Sequence, residues 1–182
     1  MSAQALRSDT LLGAAPAPAA ALATTPAAFS ATFPSNPQAS LDRARAVAQA
    51  EATPYAGGVS PREAWELFNS GAAVLVDVRT AEERKFVGQV PDTLHVAWAT
   101  GTALTRNPRF IKELEAKLKK DQAILFLCRS GKRSALAAEA AAKAGFAHAF
   151  NILEGFEGDL DGQQRRGGLG GWRHHGLPWI QD

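Results

Sequence analysis

Cysteine occurs once in this chain, at position 128. A lone cysteine excludes an intramolecular disulfide framework and any zinc site built on several thiolates. It fits a reducing compartment, where a thiol stays reactive. Charge of one sign is equally scarce. The 20 Lys and Arg stand against 18 Asp and Glu, a formal balance of +2. The basic residues are scattered, so the charge pattern offers no footprint for nucleic acid. No apolar run approaches the roughly 20 residues that span a bilayer, so no membrane partner is expected. The first 29 residues make a poor secretion signal. Asp9 sits in the would-be basic region, and Pro16 and Pro18 interrupt a stretch that is mostly alanine. The expected location is the cytoplasm.

What is present divides the chain in three. Residues 1–39 carry only Arg7 and Asp9 as charges and are nearly half Ala or Pro. So little bulky apolar surface cannot offset ordering entropy, and a disordered leader is expected. Residues 40–58 suggest a short helix with Leu41, Ala44 and Val47 on one side, then a linker through "TPYAGG". Residues 59–182 form the main domain. With 46% hydrophobic residues overall, the chain can build a real core.

Within that domain helices and strands alternate. "SPREAWELFNSG" offers Ser60 as N-cap, Pro61 at the first helical position and Glu63 to complete a capping box. "AAVLVDV" (72–78) is a short apolar strand. "TAEERKFVG" repeats the cap with Thr80 and Glu83 and ends at Gly88. "TLHVAW" (93–98) is a second strand. "NPRFIKELEAKLKK" predicts a helix capped by Asn107, with Phe110, Ile111, Leu114 and Leu118 on one face. "QAILFL" is the third strand, an Ala-rich helix follows Lys132, and "AHAFNI" is the fourth strand. The pattern predicts an α/β domain with a central, mainly parallel sheet flanked by helices. Its ligand site belongs at the C-terminal ends of the strands. The remaining tail is Gly-rich and predicts a long loop with a helical turn near Trp172, pinned by Trp172 and Trp179.

Cys128 directly follows a strand and is followed by Arg129, Ser130, Gly131, Lys132, Arg133 and Ser134. Such neighbours are not core packing. A metal site lacks partners, because His174 and His175 are adjacent to each other, remote in sequence and suited to an exposed polar patch. A P-loop also fails, since Gly131-Lys132 is followed by Arg133 and Phe126 stands where the first glycine belongs. A nucleophile remains. The reactive form is the thiolate. A helix N-terminus, the cations at 129, 132 and 133, and a curl at Gly131 that turns successive N–H groups inward would each favour it. No histidine lies nearby in sequence to act as base, so activation by electrostatics is the economical reading.

"DVRTAEERKFVGQVPDTLHVAW", "LCRSGKRSALAAEAAAKAGF" and "NILEGFEGDLDG…GGWRHHGLPW" appear in that order and spacing. Together they make residues 59–180 resemble a single-domain rhodanese, a sulfurtransferase. The loop from Cys128 to Arg133 carries most of the resemblance; Asp77–Arg79 and "GLPW" add to it. Two departures stand out. "GQVPDT" (88–93) replaces the family's usual G-H-I-P-G-A turn, and the Gly-rich tail is longer than a minimal member needs. That tail offers a place for acceptor choice to be set; leader and tail are otherwise spacers or docking elements.

The resemblance implies a three-layer rhodanese-like fold and a mechanism without cofactor or metal. Cys128 would take sulfane sulfur from an anionic donor such as thiosulfate, hold it as a persulfide, and pass it to a thiol or protein acceptor. Arg129, Ser130, Gly131, Lys132, Arg133 and Ser134 would form the substrate-binding loop. Arg79 and Asp77 would reach the same edge, with Asp77 orienting Arg79 or the loop as an equal alternative. Trp98 is core or pocket wall. Two other functions stay open. A cysteine phosphatase or arsenate reductase needs C-x5-R, whereas Cys128 to Arg133 is C-x4-R and the next position is Ser134. A persulfide carrier or interaction module would use the same thiol without small-molecule turnover.

Overall fold

A computed structural model of the chain describes residues 36–181. Helix α1 (Pro37–Ala50) opens it, with the Asn36 side chain accepting from Gln38 N as N-cap. It begins three residues ahead of the position expected from the sequence, because Asn36 and Pro37 supply a cap and a preset first turn. The rest of the expected leader, residues 1–35, lies outside the described residues. Next come β1 (Gly57–Val59), α2 (Pro61–Asn69), β2 (Val74–Asp77), α3 (Ala81–Val87) and β3 (Leu94–His95). A small antiparallel pair, β4 (Ala99–Thr100) and β5 (Thr105–Arg106), leads to α4 (Phe110–Lys117). β6 (Ile124–Leu127), α5 (Lys132–Lys143) and β7 (Ala149–Ile152) complete the set.

Two helix starts follow the capping logic in full. Ser60 and Thr80 each accept from the backbone N–H three residues on, and Glu63 and Glu83 reach back to the cap N–H. α4 departs from expectation. Asn107 Oδ1 accepts from Arg109 N at 2.9 Å and its amide donates to Ala97 O at 2.9 Å. Asn107 therefore closes a tight turn, and the helix begins only at Phe110, with no side-chain cap.

Five strands pair in the order β1-β7-β6-β2-β3, every pair parallel. Each crossover between neighbours runs through a helix or long loop, which parallel pairing requires. β1 escapes the sequence reading because "GGV" has little strand propensity; its pairing with β7 makes it a strand. Along β6 the side chains alternate. Ile124, Phe126 and Cys128 pack with Leu114 of α4 and with Ala137, Ala138 and Ala141 of α5. Leu125 and Leu127 pack on the other side with Leu41 and Ala44 of α1 and Ala64 and Leu67 of α2. The result is the three-layer α/β arrangement, with all four β6 positions buried as a doubly covered strand should be.

The Gly-rich tail packs onto the body. A Cβ on Gly158 would lie 2.1 Å from Gly170 O, and one on Gly171 would lie 2.4 Å from Gly158 N. Two backbones therefore cross where only glycine fits. Trp172 is fully buried and donates its indole N–H to Pro178 O at 2.8 Å. The ring of Trp179 lies against Gly88 and edge-on to Phe156. Among the described residues no helix is long and apolar enough to cross a membrane.

Leu41 ties α1 into the core at 4% exposure, while Val47 on the same helix is 55% exposed. Leu41→Ala is expected to cost about 2–4 kcal/mol of stability and Val47→Ala under about 0.5 kcal/mol, read from urea denaturation midpoints. Equal small losses would show that α1 adds nothing to the domain.

Candidate active site

The site is assembled by register. Asp77 at the end of β2 lies opposite Leu127 at the end of β6, and Val78 N donates to Leu127 O at 2.8 Å. The segments beginning at Val78 and Cys128 thus leave the sheet side by side at its C-terminal edge. Period-2 alternation turns Cys128 toward the α4 and α5 face, where it is 1% exposed. Only four residues, Cys128 to Gly131, separate β6 from α5. Gly131 sits at φ 85° as the N-cap of α5, and a Cβ there would lie 1.9 Å from Leu153 O. The loop is therefore pressed against the segment following β7. Phe156 N donates to Cys128 O at 2.8 Å and Glu157 N donates to Arg129 O at 2.9 Å.

Those bonds occupy the carbonyls of the loop. Its N–H groups are another matter. Among the described residues, the backbone N–H groups of residues 129–133 meet no acceptor. They surround the start of α5, where the helix adds its own positive end. The hydroxyl of Ser134, buried in the first turn of α5, donates to Cys128 Sγ at 3.1 Å. A thiol with a hydroxyl donor on its sulfur thus stands in a loop whose backbone N–H groups lack acceptors among the described residues.

The cations divide unequally. Arg129 and Lys132 are exposed, and Lys132 Nζ stands 3.8 Å from Asp159. Arg133 is committed: its guanidinium donates to both oxygens of Glu83, at 2.8 and 2.6 Å. Burial opposes charge on both partners, and the hydrogen bonds between them more than offset it. Arg133 is held above its ordinary value and Glu83 below its own, with Thr80 N also donating to the carboxylate. The expected direct role of Arg133 toward a substrate anion is thus weakened by a partner that the sequence showed only as a capping residue.

Asp77 and Arg79 are fully buried and face each other. The Asp77 carboxylate accepts from Arg79 N, Nε and Nη2, the last at 2.7 Å. Arg79 Nη2 also donates to Gly88 O at 2.8 Å, and the guanidinium lies 4.0 Å from the centre of the Phe156 ring. The pair braces the loops from within the protein. Trp98 belongs to the core, 7% exposed and edge-on to Phe110 at 5.0 Å. His174 and His175 part company: His175 Nε2 meets Glu154 at 2.7 Å, while His174 Nδ1 donates to Gly167 O at 3.0 Å. Sequence reasoning missed Glu83 as an ion-pair partner and the segment Leu153–Glu157 as the floor of the loop. The run "EGFEG" (154–158), glycines flanking an aromatic, was the available signal.

Because Glu83 is held below the ordinary glutamate range, its contribution is full above about pH 4.5 and fades as pH falls through its lowered value. Glu83→Gln keeps a capping side chain but loses the charge on Arg133. It is expected to cost about 1–3 kcal/mol at pH 7 and progressively less below about pH 4, measured as the pH dependence of the Tm difference from wild type. A difference constant down to pH 2 would remove the ion pair from the account.

Comparison with known proteins agrees with this geometry. Residues 60–160 match the family described as Rhodanese-like domain. The chain is similar to the crystal structure of Rv0390 from M. tuberculosis, with 46% identity and a TM-score of 0.64 over 70% of this chain and 99% of that one. It is 40% identical over 111 residues to the Rickettsia prowazekii protein RP600, covering 59% of this chain and 82% of that protein. It is also 33% identical over 103 residues to a mouse protein named thiosulfate sulfurtransferase/rhodanese-like domain-containing protein 3, covering 55% of this chain and 66% of that protein. The alternating α/β order, the parallel sheet and a cysteine loop between β6 and α5 are thus accounted for together: the chain belongs to the rhodanese-like domain family.

Proposed function

We propose that the protein is a sulfurtransferase that carries sulfane sulfur on Cys128. The observation that carries this reading is the four-residue loop from Cys128 to Gly131 that opens α5, with backbone N–H groups at 129–133 lacking acceptors among the described residues and Ser134 Oγ donating to the sulfur. The Cys128 thiolate attacks the outer sulfur of an anionic donor such as thiosulfate. A new S–S bond forms, the donor's S–S bond breaks, and sulfite leaves with the electron pair. The terminal sulfur of the persulfide then lies among the loop N–H groups, which stabilise its charge without reorganising. A thiolate or another thiophilic acceptor attacks that sulfur and takes it. The electron pair of the broken bond returns to Cys128, and the cycle closes. Arg129 and Lys132, both exposed beside the loop, attract the anionic donor.

The ion pair of Arg133 bears on the phosphatase alternative. A phosphate loop needs an arginine on the phosphate oxygens, and this arginine spends its fork on Glu83. Loop length and arginine commitment both favour a single sulfur over a tetrahedral oxyanion.

Treatment with thiosulfate is expected to add one sulfur atom to the intact mass, and cyanide to release it as thiocyanate with turnover. Both should vanish in Cys128→Ser. Sulfur uptake by that variant, or none by the wild type, would sink the reading; uptake without thiocyanate release would mark a carrier. Lys132→Ala is expected to raise KM for thiosulfate roughly 3- to 10-fold while leaving an uncharged sulfane donor nearly unchanged. Equal effects on both donors would remove the charge argument.

A further inference from the structure

The tail builds a second feature, outside the family-matched residues 60–160 except at its edge. A cleft of about 350 Å³ is lined by Glu157, Arg166, Gly167, Arg173, His174 and Trp179. All six come from the tail, and five of them lie beyond residue 160. Each of its basic side chains is held in place by the backbone or by an aromatic ring. Arg166 donates to Gly158 O at 2.6 Å. Arg173 stacks over the Trp179 ring at 4.4 Å and reaches Val87 O only at 3.5 Å. His174 gives its Nδ1 proton to Gly167 O, since a carbonyl can only accept. The neighbouring carboxylates are engaged elsewhere: Asp161 with Arg165 and backbone N–H groups, Asp159 with Lys132. Within the cleft, two guanidiniums and an imidazole face the single carboxylate of Glu157.

The cleft adjoins both the catalytic loop and an apolar rim. Glu157 is hydrogen-bonded to Arg129, the residue after Cys128, so the cleft begins about one strand spacing, roughly 4.8 Å, from the loop. On its other side Trp179 and Ile180 are 36% and 47% exposed, and Phe86 is 68% exposed. The end of the tail runs beside the end of α3. Ile180 pairs with Gln89, and Gln181 donates to Phe86 O at 2.8 Å. Oriented arginines beside exposed aromatic anchors form the chemistry that dominates protein recognition sites.

We infer that this cleft docks an acidic peptide segment of the protein that exchanges sulfur with Cys128. Arg173, its plane fixed by Trp179, presents its N–H edge to a carboxylate. Arg166 takes a neighbouring acidic group, and Phe86 and Ile180 cover apolar residues beside it. The docking site deepens the sulfur-transfer reading and rests on it for the transfer step alone.

The test uses the full chain and a dye-labelled, cysteine-free Glu-rich hexapeptide, with Gln-rich and Lys-rich counterparts, followed by fluorescence anisotropy. The Glu-rich peptide is expected to bind at least 10-fold tighter than the Gln-rich one at low salt, with the difference shrinking in salt. Arg166→Gln and Arg173→Gln together should remove that preference. Arg165→Gln, on an exposed side chain outside the cleft, should leave it intact although it also removes a positive charge. Equal binding of the Glu-rich and Gln-rich peptides, or equal loss in Arg165→Gln, overturns the docking site. Tighter binding of a single-stranded oligonucleotide of matched charge overturns its assignment to a peptide. In the transfer assay, a cysteine peptide flanked by Glu should accept sulfur from the Cys128 persulfide with at least 10-fold higher kcat/KM than one flanked by Gln. The double variant should abolish this advantage without changing persulfide formation from thiosulfate. No advantage in the wild type overturns the proposal. Failure to form the persulfide would instead count against the sulfurtransferase reading, while the anisotropy arm still decides the cleft.

Discussion

Arg79 has no exposed surface, and neither has the carboxylate that neutralises it. Removing two charges from water costs several kcal/mol per ion, so such a pair persists only when geometry and further hydrogen bonds offset that cost. Here Nε and Nη2 are met while Nη1 is buried without an acceptor among the described residues, and the contacts reach far. The Arg79 side chain engages Asp77 at the end of β2, Gly88 O at the end of α3 and the ring of Phe156 from the tail, and His95 of β3 donates to its carbonyl. Phe156 in turn carries the N–H that holds Cys128 O. The ends of β2 and α3 and the tail meet around one guanidinium, and β3 joins through the Arg79 carbonyl. The Cys128 loop is shaped at one remove from that charge.

This indirectness explains what the sequence disclosed and what it withheld. The strands β2, β6 and β7 were legible because buried apolar runs are local signals, and the helices α2 and α3 because a capping box is written within four residues. Cys128 was legible because a reactive thiol between a strand and a helix has few other uses. β1 was not, since its two glycines become a strand only by pairing with β7. Glu83 looked like a capping residue and is one, but its second partner lies fifty residues away. Asp77 and Arg79 were expected at the same edge as the thiol. Only the packing shows that they turn inward.

The site separates two tasks by their chemical means. In the proposed reading, charge on sulfur is met by backbone N–H groups and one buried hydroxyl, whose positions follow from the turn at Gly131 and the start of α5. Partner selection falls to side chains that leave this framework, Arg129 and Lys132 beside the loop and the tail residues beyond it. A backbone cradle does not change when such side chains do. The same loop can therefore serve different partners without being rebuilt.

The crossing of Gly158 with Gly171 carries a further consequence. A tail this poor in regular structure is often fastened by a disulfide in small domains. This one is fastened by backbone contact and a buried indole, and the sequence contains no second cysteine to cross-link. The scaffold is thereby indifferent to the redox state of its surroundings, and reducing agents cannot loosen the fold that holds Cys128. The one thiol in the sequence also has no intramolecular partner with which to be lost as a disulfide, so the site can work among thiols at concentrations that would dismantle a cystine-stapled domain.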